Sequence, residues 1–176
     1  MLHKIKTPIA YLLLIMTLGF GIRYFFLNTQ TEDGGKQSTS ALFAATFPNE
    51  NGQQKALSVY QGKWVVLNFW ATWCEPCREE MPELSALHDA YTNKNLVVLG
   101  VAVDDVSAIH EFSQDTKVSY PLFAADMAGM ELATNLGNNK GVLPFTVIIK
   151  PDGTVHKVFF GRVSKALLEK AFLPLL

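Results

Sequence analysis

The stretch LNFWATWCEPCREEM, residues 67–81, joins an apolar run to a charged run and holds both cysteines of the chain. The β-branched and aromatic residues at 65–70 are typical of a buried strand. From residue 78 to residue 91, apolar side chains recur at spacings of three and four, which predicts a helix. The two cysteines therefore lie where a strand passes into a helix.

Cys74 stands in the position expected for the N-cap of that helix. An N-cap sulfur can accept the N–H of Cys77 and faces the positive end of the helix dipole, and both effects favour the thiolate. Pro76 fits the first turn, where its missing N–H is not needed. Because the chain has two cysteines and only two residues separate them, they form one site and not a disulfide framework.

Composition predicts one domain with an appendage. The chain has 176 residues, of which 49% are hydrophobic, enough to build a full core. Three basic side chains and no acidic ones lie in the first 27 residues, so the remainder carries 12 basic and 16 acidic side chains. That net negative charge argues against nucleic acid as a partner.

Residues 1–27 predict a signal anchor. Lys4 and Lys6 precede an uncharged run at 8–22, and residues 24–27 extend it beyond Arg23 to about 20 residues, enough to span a bilayer as a helix. Bulky aromatic residues occupy the place where a cleavage site is expected, which favours an uncleaved anchor over a removed signal peptide. The two lysines should stay cytoplasmic, placing the rest of the chain across the membrane.

Residues 28–40 are polar, contain paired glycines and predict a flexible tether, so we assign the domain to residues 41–176. Alternating strand and helix patterns predict a parallel sheet, with an antiparallel last pair around the turn KPDG at 150–153. The predicted strands are 42–47, 54–59, 65–70, 96–103, 120–124, 142–149 and 154–160, and the predicted helices are 78–91, 106–116, 127–136 and one capped by Ser164.

The segment FWATWCEPCREEMP, residues 69–82, resembles the active site of the thioredoxin superfamily, specifically its TlpA/ResA-like branch of membrane-tethered thiol-disulfide oxidoreductases. The resemblance extends over residues 42–176 and includes the turn at 61–63 and Pro144. It implies an α/β thioredoxin fold, in which a central mixed sheet is flanked by helices. It also implies an N-terminal β-hairpin and a central insert between residues 96 and 136.

The resemblance further implies that Cys74 and Cys77 form a redox-active disulfide that needs no other cofactor. It implies a cis peptide bond between Leu143 and Pro144 that faces the cysteines, where exposed backbone groups can pair with an extended peptide. The family usually has a small polar residue after this proline. Phe145 departs from that pattern and leaves the shape of the substrate groove open.

The remaining candidate contacts surround the disulfide. Trp70 and Trp73 are expected to pack around the sulfurs and shield them. The residues predicted to contact substrate are Trp73, Glu75, Pro76, Leu143 and Pro144.

A proton carrier is expected near the thiols. Asn68 fills the strand position that is a buried aspartate in cytoplasmic thioredoxins, and an amide cannot accept a proton. Glu80, three residues after Cys77 on the same helical face, matches a glutamate that ResA-like proteins place by the active site. Burial would raise its pKa towards neutrality. The alternative is an acidic surface residue that simply favours the helix N-terminal region.

Three functional classes fit two neighbouring cysteines. The leading hypothesis is thiol-disulfide exchange, in which Cys74 attacks and Cys77 resolves. A peroxiredoxin-type peroxidase would need proline and threonine before a lone peroxidatic cysteine, and Thr72 lies too near. A membrane-tethered Cu(I) carrier would use both thiolates, but a dedicated histidine or methionine near Pro144 is lacking.

The negative charge of Glu75 opposes a thiolate on Cys74, so we expect a reductant of protein disulfides and not an oxidant. The resemblance implies electrons from a transmembrane thiol carrier and substrates such as apocytochrome c. It places the chain as a single-pass protein of the inner membrane, with its catalytic domain in the periplasm.

Overall fold

Residues 31–33 and 38–175 are described by the structure, which is a computed structural model of the chain. The predicted anchor at 1–27 lies outside the described residues, as do 28–30 and 34–37 of the predicted tether. Among the described helices, none has the length and apolar character that crossing a membrane requires.

Six strands form one mixed sheet in the order β1-β8-β7-β4-β5-β6, and β2 pairs with β3 in a separate antiparallel hairpin. The strands of the described residues are β1 (Thr31–Asp33), β2 (Thr46–Pro48), β3 (Gln54–Ala56), β4 (Trp64–Trp70), β5 (Leu96–Ala102), β6 (Leu122–Ala124), β7 (Phe145–Ile149) and β8 (Val155–Phe160). β4, β5 and β6 run parallel, whereas β7 is antiparallel to both β4 and β8. The mixed sheet and the N-terminal hairpin implied by the resemblance are confirmed.

The helices cover both faces of this sheet. They are α1 (Ser40–Ala44), α2 (Glu75–Tyr91), α3 (Val106–Asp115), α4 (Asp126–Asn135) and α5 (Lys165–Phe172), with 3-10 turns at Leu57–Tyr60, Thr92–Lys94 and Leu173–Leu175. The predicted cap of the last helix is confirmed, because the Ser164 side chain accepts a hydrogen bond from the N–H of Leu167. α3, β6 and α4 make up the central insert between β5 and β7.

The strand predicted at 42–47 is wrong in its first half. Leu42 and Phe43 are buried in helix α1, and the strand begins only at Thr46. A short apolar run does not by its periodicity distinguish a buried strand from a buried helical turn. The strand predicted at 54–59 likewise ends at Ala56, and a 3-10 turn follows that buries Leu57.

Alternation along the strands divides the core into two layers. On β4, Val66 and Trp70 face the layer that holds both cysteines and helix α2, while Val65 and Phe69 face the layer beneath α1 and α4. Since successive strand residues point to opposite faces, the register of β4 decides which side chains lie under the active-site helix.

Gly100 of β5 leaves room for large side chains in the core layer that holds both cysteines. A Cβ at this position would lie 2.7 Å from a methyl group of Leu122 and 3.2 Å from the indole nitrogen of Trp70. It would also lie 3.1 Å from the ring of Tyr120. The absence of a side chain at Gly100 therefore makes room for the indole ring of Trp70, the last residue of β4.

Replacing Gly100 with alanine is expected to lower the free energy of unfolding by about 1–3 kcal/mol, because an added methyl group overpacks a filled core. Urea denaturation measures the effect. Val59→Ala is the control, since Val59 is 65% exposed and such surface changes stay within about 0.5 kcal/mol. Equal unfolding free energies for Gly100→Ala and the parent protein would contradict the close packing.

Candidate active site

The cysteine loop, residues 71–74, connects the end of β4 to the start of α2 and is held by two hydrogen bonds from its backbone N–H groups. The backbone N–H of Cys74 donates to the carbonyl of Ala71 at 3.1 Å. The N–H of Thr72 donates to Oδ2 of Asp104 at 2.6 Å. Asp104 was not predicted as a site residue, although it follows the end of β5, which lies at the same edge of the sheet as the end of β4.

The two cysteine sulfurs are joined in a disulfide, with Cα atoms 5.3 Å apart. Cys74 is the N-cap of α2, as predicted, and Pro76 lies in the first turn. The expected capping hydrogen bond, in which the Cys74 sulfur accepts a backbone N–H, is absent in this oxidised state, where that sulfur is bonded to Cys77. Cys74 keeps 7% of its surface exposed and Cys77 none, so a partner approaching from solvent meets Cys74 first.

Glu80 lies one helical turn beyond Cys77 and is completely buried. Its Oε1 accepts a hydrogen bond from Nδ2 of Asn68 at 2.6 Å. Its Oε2 accepts one from the backbone N–H of Val163 at 2.7 Å. The alternative of a solvated surface glutamate is therefore wrong, and both carboxyl oxygens are held by donors.

Burial raises the pKa of Glu80 to about 7, because removing the carboxylate from water disfavours its charged form. The N–H of Val163, the Asn68 amide and the positive charge of Arg162 oppose this shift. At neutral pH both protonation states of Glu80 are therefore populated. A carboxyl group with that property can accept or give up a proton during thiol exchange.

Two neighbouring glutamates of α2 bind residues 162–165, the segment that includes the N–H donor to Glu80. Glu79 forms an ion pair with Arg162, and Oε2 of Glu83 accepts a hydrogen bond from the N–H of Lys165 at 3.0 Å. Together with Glu80 they attach the start of α5 to the active-site helix. These partners lie about 80 residues away in sequence, and no local pattern points to them.

Asn68 and Thr146 extend the buried hydrogen-bond network around Glu80. Nδ2 of Asn68 also donates to Oγ1 of Thr146 at 3.1 Å, and both side chains are fully buried. Thr146 was not among the predicted site residues. Its register opposite Asn68 in the β4–β7 pair is the signal that would have found it.

The peptide bond between Leu143 and Pro144 is cis, as the resemblance implied. Leu143 packs against both core layers, including the one that contains both cysteines. Phe145 instead lies in the opposite layer, 5.9 Å from the ring of Phe69 and 5.1 Å from that of Phe160. The residue that departs from the family pattern therefore places its ring on the face of the sheet away from the cysteines.

The predicted substrate contacts on the cysteine loop are accessible. Trp73 is 70% exposed, and Glu75 and Pro76 are exposed as well. Trp70 is completely buried in the same layer as the cysteines, whereas Trp73 is largely open to solvent. Trp73 therefore offers an apolar surface next to the disulfide.

Metal-ligating side chains do not gather in groups of three or more in the part of the chain that the structure describes. His88 accepts a hydrogen bond from the N–H of Val98 at 3.3 Å. Burial lowers the pKa of this imidazole, which fits a packed helix residue.

Comparison with known proteins agrees with this geometry. The model of the AhpC/TSA family matches residues 39–158. The thiol-disulfide oxidoreductase ResA of Geobacillus kaustophilus is 30% identical over 160 residues, which cover 90% of this chain and 88% of the relative. ResA of Bacillus subtilis is 30% identical over 166 residues, covering 93% of this chain and 88% of the relative.

Among solved structures, a secreted thiol-disulfide isomerase from Corynebacterium glutamicum superimposes with a TM-score of 0.66 at 25% identity. The match covers 74% of this chain and 82% of that protein. With the buried Cys74–Cys77 disulfide at the head of α2, these similarities establish that the chain belongs to the AhpC/TSA family of the thioredoxin superfamily and is a thiol-disulfide oxidoreductase.

Proposed function

We propose that this oxidoreductase reduces disulfides of extracytoplasmic proteins, with Cys74 as the attacking and Cys77 as the resolving cysteine. The observation that supports this division is exposure, since Cys74 retains 7% of its surface and Cys77 none. A protein disulfide is large, so it can be attacked only by the sulfur that reaches solvent. The peroxidase and copper-carrier alternatives have no comparable observation in their favour.

The reaction balances without another cofactor. The Cys74 thiolate attacks one sulfur of the substrate disulfide, that bond breaks, and one substrate thiolate leaves. Cys77 then loses its proton to Glu80 and attacks the Cys74 sulfur, which releases the second substrate thiolate. The substrate has gained two electrons, and the enzyme ends with the Cys74–Cys77 disulfide present in the structure.

Substrate binding is assigned to the residues that flank the disulfide in the cysteine loop, in the first turn of α2 and before β7. Trp73 supplies an exposed aromatic face, and Glu75 and Pro76 lie beside it in the first turn of α2. Leu143 and Pro144 precede β7, where backbone groups next to the proline can pair with an extended segment of substrate. Hydrogen bonds to the backbone of the substrate do not depend on its side chains, so substrates of many sequences can bind in this way.

The electron source and location rest on the N-terminal sequence and the resemblance. Residues 1–27 would anchor the chain in the inner membrane with the catalytic domain on the periplasmic side. A transmembrane thiol carrier would return the Cys74–Cys77 pair to the dithiol form. Proteins such as apocytochrome c, whose cysteines must be reduced before haem attachment, are the substrate class that we propose.

Replacement of Cys77 with serine is expected to accumulate a mixed disulfide on Cys74, because the resolving sulfur is removed while the attacking one remains. The Cys74→Ser variant should accumulate little mixed disulfide, since its remaining cysteine, Cys77, is fully buried. Mass spectrometry after incubation with oxidised glutathione measures the adduct. Equal trapping by the two variants would overturn the assigned roles.

Glu75 is expected to keep the reduction potential of the Cys74–Cys77 pair low. Its negative charge disfavours the Cys74 thiolate and therefore destabilises the reduced state of the pair relative to the disulfide. An equilibrium titration against glutathione and dithiothreitol should give a potential nearer to about −270 mV than to about −120 mV. Glu75→Gln should raise it. Glu111→Gln, an exposed change on α3, should not, and a parent value near −120 mV would reverse the proposed direction.

Glu80→Gln is expected to shift the pH profile of Cys74 alkylation to lower pH. Above pH 7 the Glu80 carboxylate repels a nearby thiolate, and glutamine removes that repulsion. Reduction of insulin should also slow by roughly 10²-fold, the range of general base catalysis. Rapid alkylation at pH 5–9 and an insulin turbidity assay are the measurements, with Glu111→Gln as the control.

Unchanged alkylation and insulin reduction in Glu80→Gln would remove Glu80 from the mechanism. The folded state of each variant is checked by its urea unfolding curve.

A further inference from the structure

The Asn68 amide is shared between two acceptors in the middle of the protein. Asn68 and Thr146 are directly opposed in the antiparallel β4–β7 pair, and both side chains are fully buried. One N–H of Nδ2 is donated to Glu80 and the other to the hydroxyl oxygen of Thr146. Oδ1 has no hydrogen-bond partner among the described residues.

This arrangement determines which end of the amide faces Glu80. If the amide turned over, Oδ1 would face the Glu80 carboxyl group, and two N–H donors would occupy the place where Oδ1 now has no partner. Leaving a buried donor unpaired is unfavourable, because the group has lost its hydrogen bonds to water without replacing them. Thr146 uses the second N–H and thereby holds Nδ2 in the position from which it donates to the carboxylate.

We propose that Thr146 is a positioning residue for proton transfer in this oxidoreductase. Its hydroxyl oxygen keeps the Asn68 amide directed at Glu80 and so sets the pH at which Glu80 exchanges its proton. The proposal rests on the role of Glu80 proposed above. Thr146 itself touches neither the sulfurs nor substrate and acts through Asn68.

Other charged and titratable groups also face Glu80. Arg162, held by Glu79, favours the carboxylate, and the two cysteines lie on the same helix. Tyr120, just before β6, has its pKa raised by burial and by the charge of Glu80, so it stays neutral. The Thr146 hydroxyl bonds to Asn68, and replacing it leaves these groups in place.

The test uses two pairs of variants that each differ by one hydroxyl group. Thr146→Val is compared with the parent protein, and Thr146→Ala with Thr146→Ser. Infrared difference spectroscopy of the full-length oxidised protein follows the protonated carboxyl band, which is assigned to Glu80 by its loss in Glu80→Gln. Because both thiols are in the disulfide, they do not titrate in this state.

The midpoint of the Glu80 titration is expected to rise by about half a pH unit to one pH unit in Thr146→Val, equivalent to one lost hydrogen bond of about 1 kcal/mol. Thr146→Ala should lie above Thr146→Ser by a similar amount, while Thr146→Ser stays near the parent. The pH optimum of insulin reduction should move in the same direction. Should Thr146→Val not fold, the alanine and serine pair decides.

Equal midpoints within each pair, in proteins that unfold normally in urea, would overturn the role of Thr146. That failure differs from a failure of the proposed function. If Glu80→Gln leaves thiol alkylation and insulin reduction unchanged, the proton role of Glu80 is wrong even where the hydroxyl pairs shift its titration.

Discussion

The burial of the Glu80 carboxyl group is the constraint on which the rest of the site depends. A carboxylate removed from water without partners costs several kcal/mol, and here Asn68 and Val163 each supply one N–H donor. These donors come from β4 and from the segment before α5, so satisfying one side chain brings three parts of the chain together. The remaining desolvation leaves the pKa of Glu80 at about 7.

The sheet register makes this arrangement possible. Asn68 and Thr146 face the cysteine layer, while their neighbours Phe69 and Phe145 stack against each other in the opposite layer. A slip of one residue would exchange these two sets of side chains between the faces. The stacking of Phe69 on Phe145 therefore favours the register that directs Asn68 and Thr146 towards Glu80, because a one-residue slip would turn an aromatic ring towards Glu80 instead.

Local patterns in the sequence predicted the parts of the site that lie close together along the chain. The N-cap position of Cys74 and the shared helical face of Cys77 and Glu80 depend on residues within one or two turns. The donors to that face were not predictable in the same way, since Val163 is 83 residues from Glu80 and Thr146 is 78 from Asn68. Such contacts are set by topology and register, to which a local pattern is insensitive.

Exposure falls steeply from the tip of the cysteine loop into the core. Trp73 is 70% exposed, Cys74 7%, and Cys77 and Glu80 not at all. A substrate disulfide can therefore exchange electrons at Cys74 while water is kept from the carboxyl group that we propose as the proton carrier. If water reached Glu80, its pKa would return towards that of an ordinary glutamate, and near neutral pH the carboxylate would be too weak a base to take the proton of Cys77 efficiently. On this proposal, the same burial that costs stability at Glu80 keeps it able to work with thiols.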